Sequence, residues 1–394
     1  MMSTNTWLWC GLFSMSLLAP DVVFSQNSAR SVFDSPWQRH TIDDSSLGSD
    51  GTKFSDVNND GKFDLITGWE EGGVSRIYLQ PENPKQKWPF IELPSPDVED
   101  AFVSDLNGDG YMDLITMSEG KHQRVTIHWA PANSEDYLDP QKWLTKDIPI
   151  TIGKTKWMFG RPIDLDGKNG IDLVVGSKDP NGTLGWLEAP VDPLNMEGWK
   201  YHEITQVGWV MSIELLDMNT DGEMDLLITD RYGDFRGLRW MENPGKSFLH
   251  GKWRHHLLGL RDGESMFMDY FEADTDKKEL NIIVPVVNRG WEHFERKDGQ
   301  WISQKMEFPD FDQDGLLDLT ATFSQSLGKS GVIAKMSFQT DEPYFIDISG
   351  KEGVKYDFIL LKDMDGDGDL DVITSEETAA DGSKKGLGVI WYEN

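Results

Sequence analysis

Cysteine is almost missing from this chain: its 394 residues include one, Cys10. That residue lies in an N-terminal apolar run, WLWCGLFSMSLLAP, which together with Val23-Phe24-Ser25 reads as a secretory signal spanning residues 1–25. No Lys or Arg precedes the run, a departure from the usual signal pattern, and the lack of a Leu-Ala-Gly lipobox before Cys10 argues against a lipid anchor. The processed chain, 26–394, is then expected outside the cytoplasm, secreted or periplasmic, with no thiol and no disulfide. No second apolar stretch is long enough to span a bilayer. Basic residues are scarce as well. With 37 Lys and Arg against 68 Asp and Glu, the formal net charge is -31, which excludes nucleic acid and anionic membrane surfaces as partners. Catalytic signatures are lacking: there is no GxSxG elbow, no HExxH pair and no phosphate-binding loop.

What is abundant is aspartate in a fixed arrangement. Five segments read Asp-x-Asp/Asn-x-Asp-Gly-x-x-Asp followed by an aliphatic residue. They are DVNNDGKFDL from Asp56, DLNGDGYMDL from Asp105, DMNTDGEMDL from Asp217, DFDQDGLLDL from Asp310 and DMDGDGDLDV from Asp363. Carboxylates crowded this closely repel one another unless a cation lies between them. Oxygen donors at alternate positions, with a glycine at the sharp turn, suit Ca2+. The expected ligands are Asp56, Asn58, Asp60 and Asp64; Asp105, Asn107, Asp109 and Asp113; and Asp217, Asn219, Asp221 and Asp225. Asp310, Asp312, Asp314 and Asp318, then Asp363, Asp365, Asp367 and Asp371, complete the set. Two further copies are worn. At Asp164 the motif puts Lys168 in the ring, and at Asp274 it has lost a residue and ends on Asn281. Those two sites are expected to be weak or empty.

The closing carboxylate decides the setting. An EF-hand closes on a Glu at its twelfth position, between helices. Here the motif closes at its ninth residue and runs into DLITG, DLITM, DLLIT, DLTAT and DVITS, which read as strands. Similarity extends beyond the loops. Aromatic residues lead strand-like segments at Trp37, Trp88, Trp143, Trp199, Trp253, Trp301 and Tyr344, and from Trp37 on they are 43 to 56 residues apart. That spacing fits a four-stranded blade, so seven leads and seven loops predict seven blades. The chain stops at Asn394 straight after WYEN, where every earlier copy continues into an outer strand. Residues Trp37 to Ile42 are expected to supply that strand and close the ring, leaving no open edge. Asp310 follows Trp301 by only nine positions, so the inner strand of blade six is expected to be short or distorted.

On these motifs the chain resembles the FG-GAP/VCBS-type calcium-loop propellers, and is similar to the blades of the integrin α-subunit head. The Phe-Gly and Gly-Ala-Pro elements of the integrin repeat are not legible, so the bacterial VCBS-like version is the closer likeness. The resemblance implies an all-β, seven-bladed propeller over residues 26–394, with about five structural Ca2+ ions. It also implies a binding module, for an acidic carbohydrate or a cell-surface protein.

Function is expected on the loops opposite the acidic ones, where the repeat breaks down. Lys156, Trp157, Trp209, Arg231 and Tyr232 are the expected ligand contacts, since aromatic faces suit sugar rings and Arg or Lys suits a carboxylate or sulfate. A lyase or dehydratase is the alternative. Certain polysaccharide lyases acting on uronates use similar scaffolds, and the propeller of aldos-2-ulose dehydratase looks like this one. Elimination would need a base, Tyr232 or His122, and a cation, Arg231, Arg289 or Lys178. A structural adhesion scaffold is the third reading. His40, His202 and His256 each follow a lead Trp by three residues and are read as structural.

Overall fold

The computed structural model describes residues 32–394 apart from 275–278, 288, 298–299, 305–317, 327–328, 338–343, 379–381 and 383. The proposed signal segment therefore lies outside the described residues. The chain is an all-β propeller of seven four-stranded sheets, six of which are blades of one plan, antiparallel throughout. In the first, Ser49–Ser55, Asp64–Trp69, Val74–Tyr78 and Phe90–Pro94 follow one another from the axis to the rim.

The remaining sheet corrects the expectation of seven blades to six. Asp318–Ser326, Lys329–Ser337 and Tyr344–Asp347 are antiparallel, but the fourth strand is Val32–Asp34, added in parallel to Tyr344–Asp347. Asp318, the ninth motif residue, opens the innermost strand here, whereas in five of the six blades the ninth aspartate opens the second. The reason is chain length. Gln300–Gln304 already forms the rim strand of the preceding blade, so only five residues precede Asp310. Blade two uses ten for the same passage: 95–97 to cross and Val98–Ser104 as the inner strand. The expected distortion of that inner strand falls on 305–317, outside the described residues.

Closure follows the expected route. Gln38–Asp43 pairs antiparallel with Gly388–Glu393, placing Arg39 opposite Tyr392 and His40 opposite Trp391. Residues 32–43 thus complete two adjacent sheets. Barrels and rings that leave no free edge avoid strand-to-strand aggregation.

Second strands are buried on both faces, which explains their unbroken apolar runs: every residue of Asp64–Trp69 and of Asp113–Ser118 is buried. Rim strands alternate instead, as Phe90–Pro94 does. Between blades one and two, Ile66, Ile77, Val98, Ala101 and Leu114 share one apolar cluster. The lead tryptophans lock the rim. Trp88, Trp143, Trp199 and Trp253 each donate their indole N–H to a backbone carbonyl just upstream, at 2.8 to 3.1 Å. Among the described residues no helix is long and apolar enough to cross a membrane.

Candidate functional site

Among the described residues, the acidic loops from Asp56, Asp105, Asp164, Asp217 and Asp363 each join the first and second strands of their blades, so they share one face of the ring. Their backbone is wound by their own side chains. Asp56 accepts the amide N–H groups of Asp60 and Gly61 at 3.0 Å, Asn58 accepts that of Asp60, and Asp60 accepts that of Lys62. Loops two and four repeat this set on Asp105, Asn107 and Asp109 and on Asp217, Asn219 and Asp221. Gly61, Gly110 and Gly222 take φ of 84°, 90° and 92° at the turn, a region that favours glycine.

The ninth aspartate has a second task. Asp64 accepts Val57 N–H on one oxygen and Gln80 N–H on the other, at 2.9 and 2.8 Å. Asp113, Asp172, Asp225 and Asp371 repeat this, each tying its loop to the end of the third strand. Each is fully buried, and burial pushes its carboxyl up, to about 6 for Asp64, Asp225 and Asp371 and about 7 for Asp113 and Asp172.

The donor set fits a hard cation best in loop seven. Oxygens of Asp363, Asp365 and Asp371 lie within 4.8 Å of one another. One buried oxygen of Asp365 and one of Asp369 accept no hydrogen bond. Oxygens of Asp164, Asp166 and Asp172 are grouped equally tightly; there Lys168, from within the loop, places its ammonium 3.3 Å from Asp166, while in loop seven Lys85, from the neighbouring blade, stands 3.0 Å from Asp365. Asp310, Asp312 and Asp314 lie outside the described residues. The strands place Asp318 and Asp274 at the start and end of their segments.

The opposite face carries a compact aromatic and ionic group. Lys178 ends the second strand of blade three, and a single antiparallel bridge to Trp209 draws it to blade four. Its ammonium lies 4.3 Å from the Trp209 ring centroid, and the Arg231 guanidinium lies 4.9 Å from both Trp209 and Tyr232. Cations so placed over indole and phenol faces are held by the ring quadrupole. Asp230, fully buried, fixes the local backbone by accepting Gly208 and Trp209 N–H and by pairing with Arg239 at 2.7 Å. Both cations already have carboxylate partners: Lys178 pairs with Glu119, and Arg231 with Glu264 at 3.1 Å.

Towards the axis the same face turns acidic. Oxygens of Glu70, Glu99 and Glu119 lie within 4.8 Å of one another, as do those of Asp50, Asp357 and Glu377. Inner strands break register at Asp50/Thr52 and at Val98/Asp100, leaving Gly51 and Glu99 as bulge residues. Bulges re-aim side chains in this way. Burial, then neighbouring carboxylates, raises the Asp50, Glu99 and Glu70 carboxyls. Lys355 pairs with Glu377, yet burial and Asp357 still leave Glu377 raised, because carboxylates outnumber ammonium groups there.

Of the sequence-derived ligand set, the fold brings together Lys178, Trp209, Arg231 and Tyr232, with Lys156 opposite Lys178 in register. Trp157 must be withdrawn. Its side chain is fully buried in the core of blades two and three, with its indole N–H donated to Thr151 O at 3.1 Å. Of the catalytic candidates, Tyr232, Arg231 and Lys178 fall in this group, and His122 and Arg289 do not join it. His122 pairs with Asp97 at 2.7 Å, and Arg289 with Asp262 at 3.0 Å, each within its own loop pair. Burial raises the Tyr232 phenol above its ordinary value, with Glu264 adding to the rise against Arg231, the wrong direction for a base. Sequence reading missed Phe235, 57% exposed on the Tyr232 loop. It also missed Asp50, Asp357 and Glu377, which come from distant segments and have no linear signal.

These features set the context for comparison with known proteins. Residues 56–116, from the first acidic loop to the strand after the second, match the FG-GAP-like repeat. The chain carries an FG-GAP-like repeat. No curated protein is significantly similar to it. Among solved structures, BBS1N in complex with ARL6DN is 11% identical with a TM-score of 0.48, covering 91% of this chain and 97% of that one. A lectin from Agrocybe aegerita that recognises non-reducing terminal N-acetylglucosamine is 14% identical with a TM-score of 0.42, covering 88% and 86%. The V. cholerae biofilm matrix protein Bap1 is 10% identical with a TM-score of 0.34, covering 96% and 90%. Similarity this low carries no argument about what this chain binds.

Proposed function

We propose that this protein is a calcium-stabilised binding module, exported from the cytoplasm, whose ligand docks on the face opposite the acidic loops. Calcium is assigned to the loops at Asp56, Asp105, Asp217, Asp310 and Asp363. The observation that carries the calcium reading is the grouping of Asp363, Asp365 and Asp371 oxygens, with one Asp365 oxygen accepting no hydrogen bond while Lys85 pairs with the other at 3.0 Å. At free calcium about tenfold above its dissociation constant, each site adds on the order of 1.4 kcal/mol. Chelation is the test: EDTA should lower the melting temperature by many degrees, and an unchanged curve would reject structural calcium.

For the ligand, half-exposed Trp209 and Tyr232 with exposed Phe235 offer an aromatic platform at the rim of an acidic mouth. Because Lys178 and Arg231 are already neutralised, an acidic ligand would have to displace Glu119 or Glu264. The platform therefore favours a neutral or cationic polar ligand, a carbohydrate or a surface-protein segment, over the acidic glycan suggested by sequence. A glycan array probed with the intact chain and with Trp209→Ala tests this. Retention of a neutral or amino sugar that is lost in the variant supports the assignment, and retention of uronates alone would reject it.

A further inference from the structure

We propose that Glu188, His202 and His250 hold a divalent transition-metal ion of the zinc class at the rim between blades three and four. Glu188 ends the third strand of blade three, His202 lies in its fourth strand, and His250 comes from the connection between Gly237–Glu242 and Arg254–Gly259 in blade four. One ligand atom from each lies within 4.8 Å of the others. Two imidazoles and one carboxylate are nitrogen and oxygen donors of the kind that Zn2+ takes, with one position left open.

The repeat itself isolates what is special here. A Trp–His–Glu unit recurs at one blade position. His40 contacts Glu393 at 2.6 Å over Trp391, and His256 contacts Glu242 at 2.7 Å over Trp240. His202 contacts Glu188 at 2.7 Å over Trp186 in the same manner. These pairs are structural. In the closing blade, which holds Gly388–Glu393, the third partner is Lys85, from the next blade's connection, which pairs with Glu393 at 2.9 Å and Asp365 at 3.0 Å. In blade three the next blade supplies His250 instead, its ring 4.5 Å from His202 and 5.8 Å from Trp186. An ammonium has been replaced by an imidazole, so the unit gains a ligand atom at the place where its counterpart carries a lysine.

His250 is exposed, yet its backbone is held. Leu249 beside it is buried in the core, Leu249 O accepts the Trp253 indole N–H at 3.1 Å, and Gly251 N–H bonds Phe248 O at 2.7 Å. Lys200 pairs with Glu188 Oε1 at 3.1 Å, which leaves Oε2 for the ion. With metal–ligand distances of about 2.0 to 2.1 Å, tetrahedral donors stand roughly 3.3 Å apart. Binding therefore replaces the proton shared by His202 and Glu188, which passes to solvent, and spreads the two donors slightly. The ion would clamp blade three to blade four.

The test is calorimetric titration of the intact chain with Zn2+ in millimolar Ca2+, which keeps the acidic loops filled. The wild-type chain should bind one more Zn2+ than His250→Ala, or bind it at least about tenfold more tightly. Added Zn2+ should also raise its melting temperature but not that of the variant. His256→Ala, the same blade position without a second histidine, should keep the Zn2+ site. Identical Zn2+ stoichiometry and affinity in the wild type and His250→Ala would overturn the proposal, as would loss of the site in His256→Ala alone. Because His250 is exposed, its replacement leaves folding intact.

Discussion

His40 Nε2 lies 2.6 Å from Glu393 Oε2, although 353 residues separate them in sequence. This contact sits on the strand pair that seals the ring, with the His40 ring stacked 4.3 Å from Trp391. His40→Ala should cost about 1 kcal/mol, the usual worth of one such hydrogen bond, read as a lower urea midpoint. Deleting residues 32–43 strips one strand from each of two sheets, and the shortened chain should aggregate by light scattering. A monodisperse, fully stable truncation would show that closure is not needed.

The buried ninth aspartates set an unusual pH dependence. Burial holds Asp64, Asp225 and Asp371 near about 6 and Asp113 and Asp172 near about 7, against an ordinary 3.8. Between those values the metal-free folded state binds more protons than the unfolded chain, so its stability falls as pH rises from about 4 to about 7. Calcium requires the deprotonated form, so the order should reverse when it is present. Melting curves at about pH 5.5 and about pH 7.5, with EDTA and with Ca2+, check both signs. Equal melting temperatures in EDTA would remove the effect.

Loop three offers a gain of function. Lys168 stands where loops one, two and four carry an aspartate, and its ammonium serves Asp166. Lys168→Asp should raise the calcium stoichiometry by one, measured by equilibrium dialysis. No added ion would mean that the lysine is not what keeps that loop weak.

Two tryptophans should behave oppositely. Trp157 fills the core, and Trp157→Ala should cost about 3 to 5 kcal/mol. Trp209→Ala and Phe235→Ala act on half-buried and exposed rings, so thermal stability should change little while ligand retention falls. A Trp157→Ala protein as stable as wild type would place that ring outside the core.

The sequence made the propeller legible because its repeat is long, metal-loop spacing is strict and second strands buried on both faces stay apolar. Lead tryptophans and repeated histidines were legible as architecture for the same reason. Trp157 misled because it follows basic residues in a variable segment, where composition alone reads as surface. The unequal seventh sheet was partly legible in the short spacing before Asp310, but its repair by Val32–Asp34 was not, since three residues carry no pattern.

By itself the chain determined a ring of acidic hairpins and its closure by the segment after Trp37, because these rest on local spacing and composition. Only the tertiary structure decided which charges meet. Asp50 finds Asp357 and Glu377, Lys178 finds Trp209, and His202 finds His250, because neighbouring blades pack residues together that no linear interval connects.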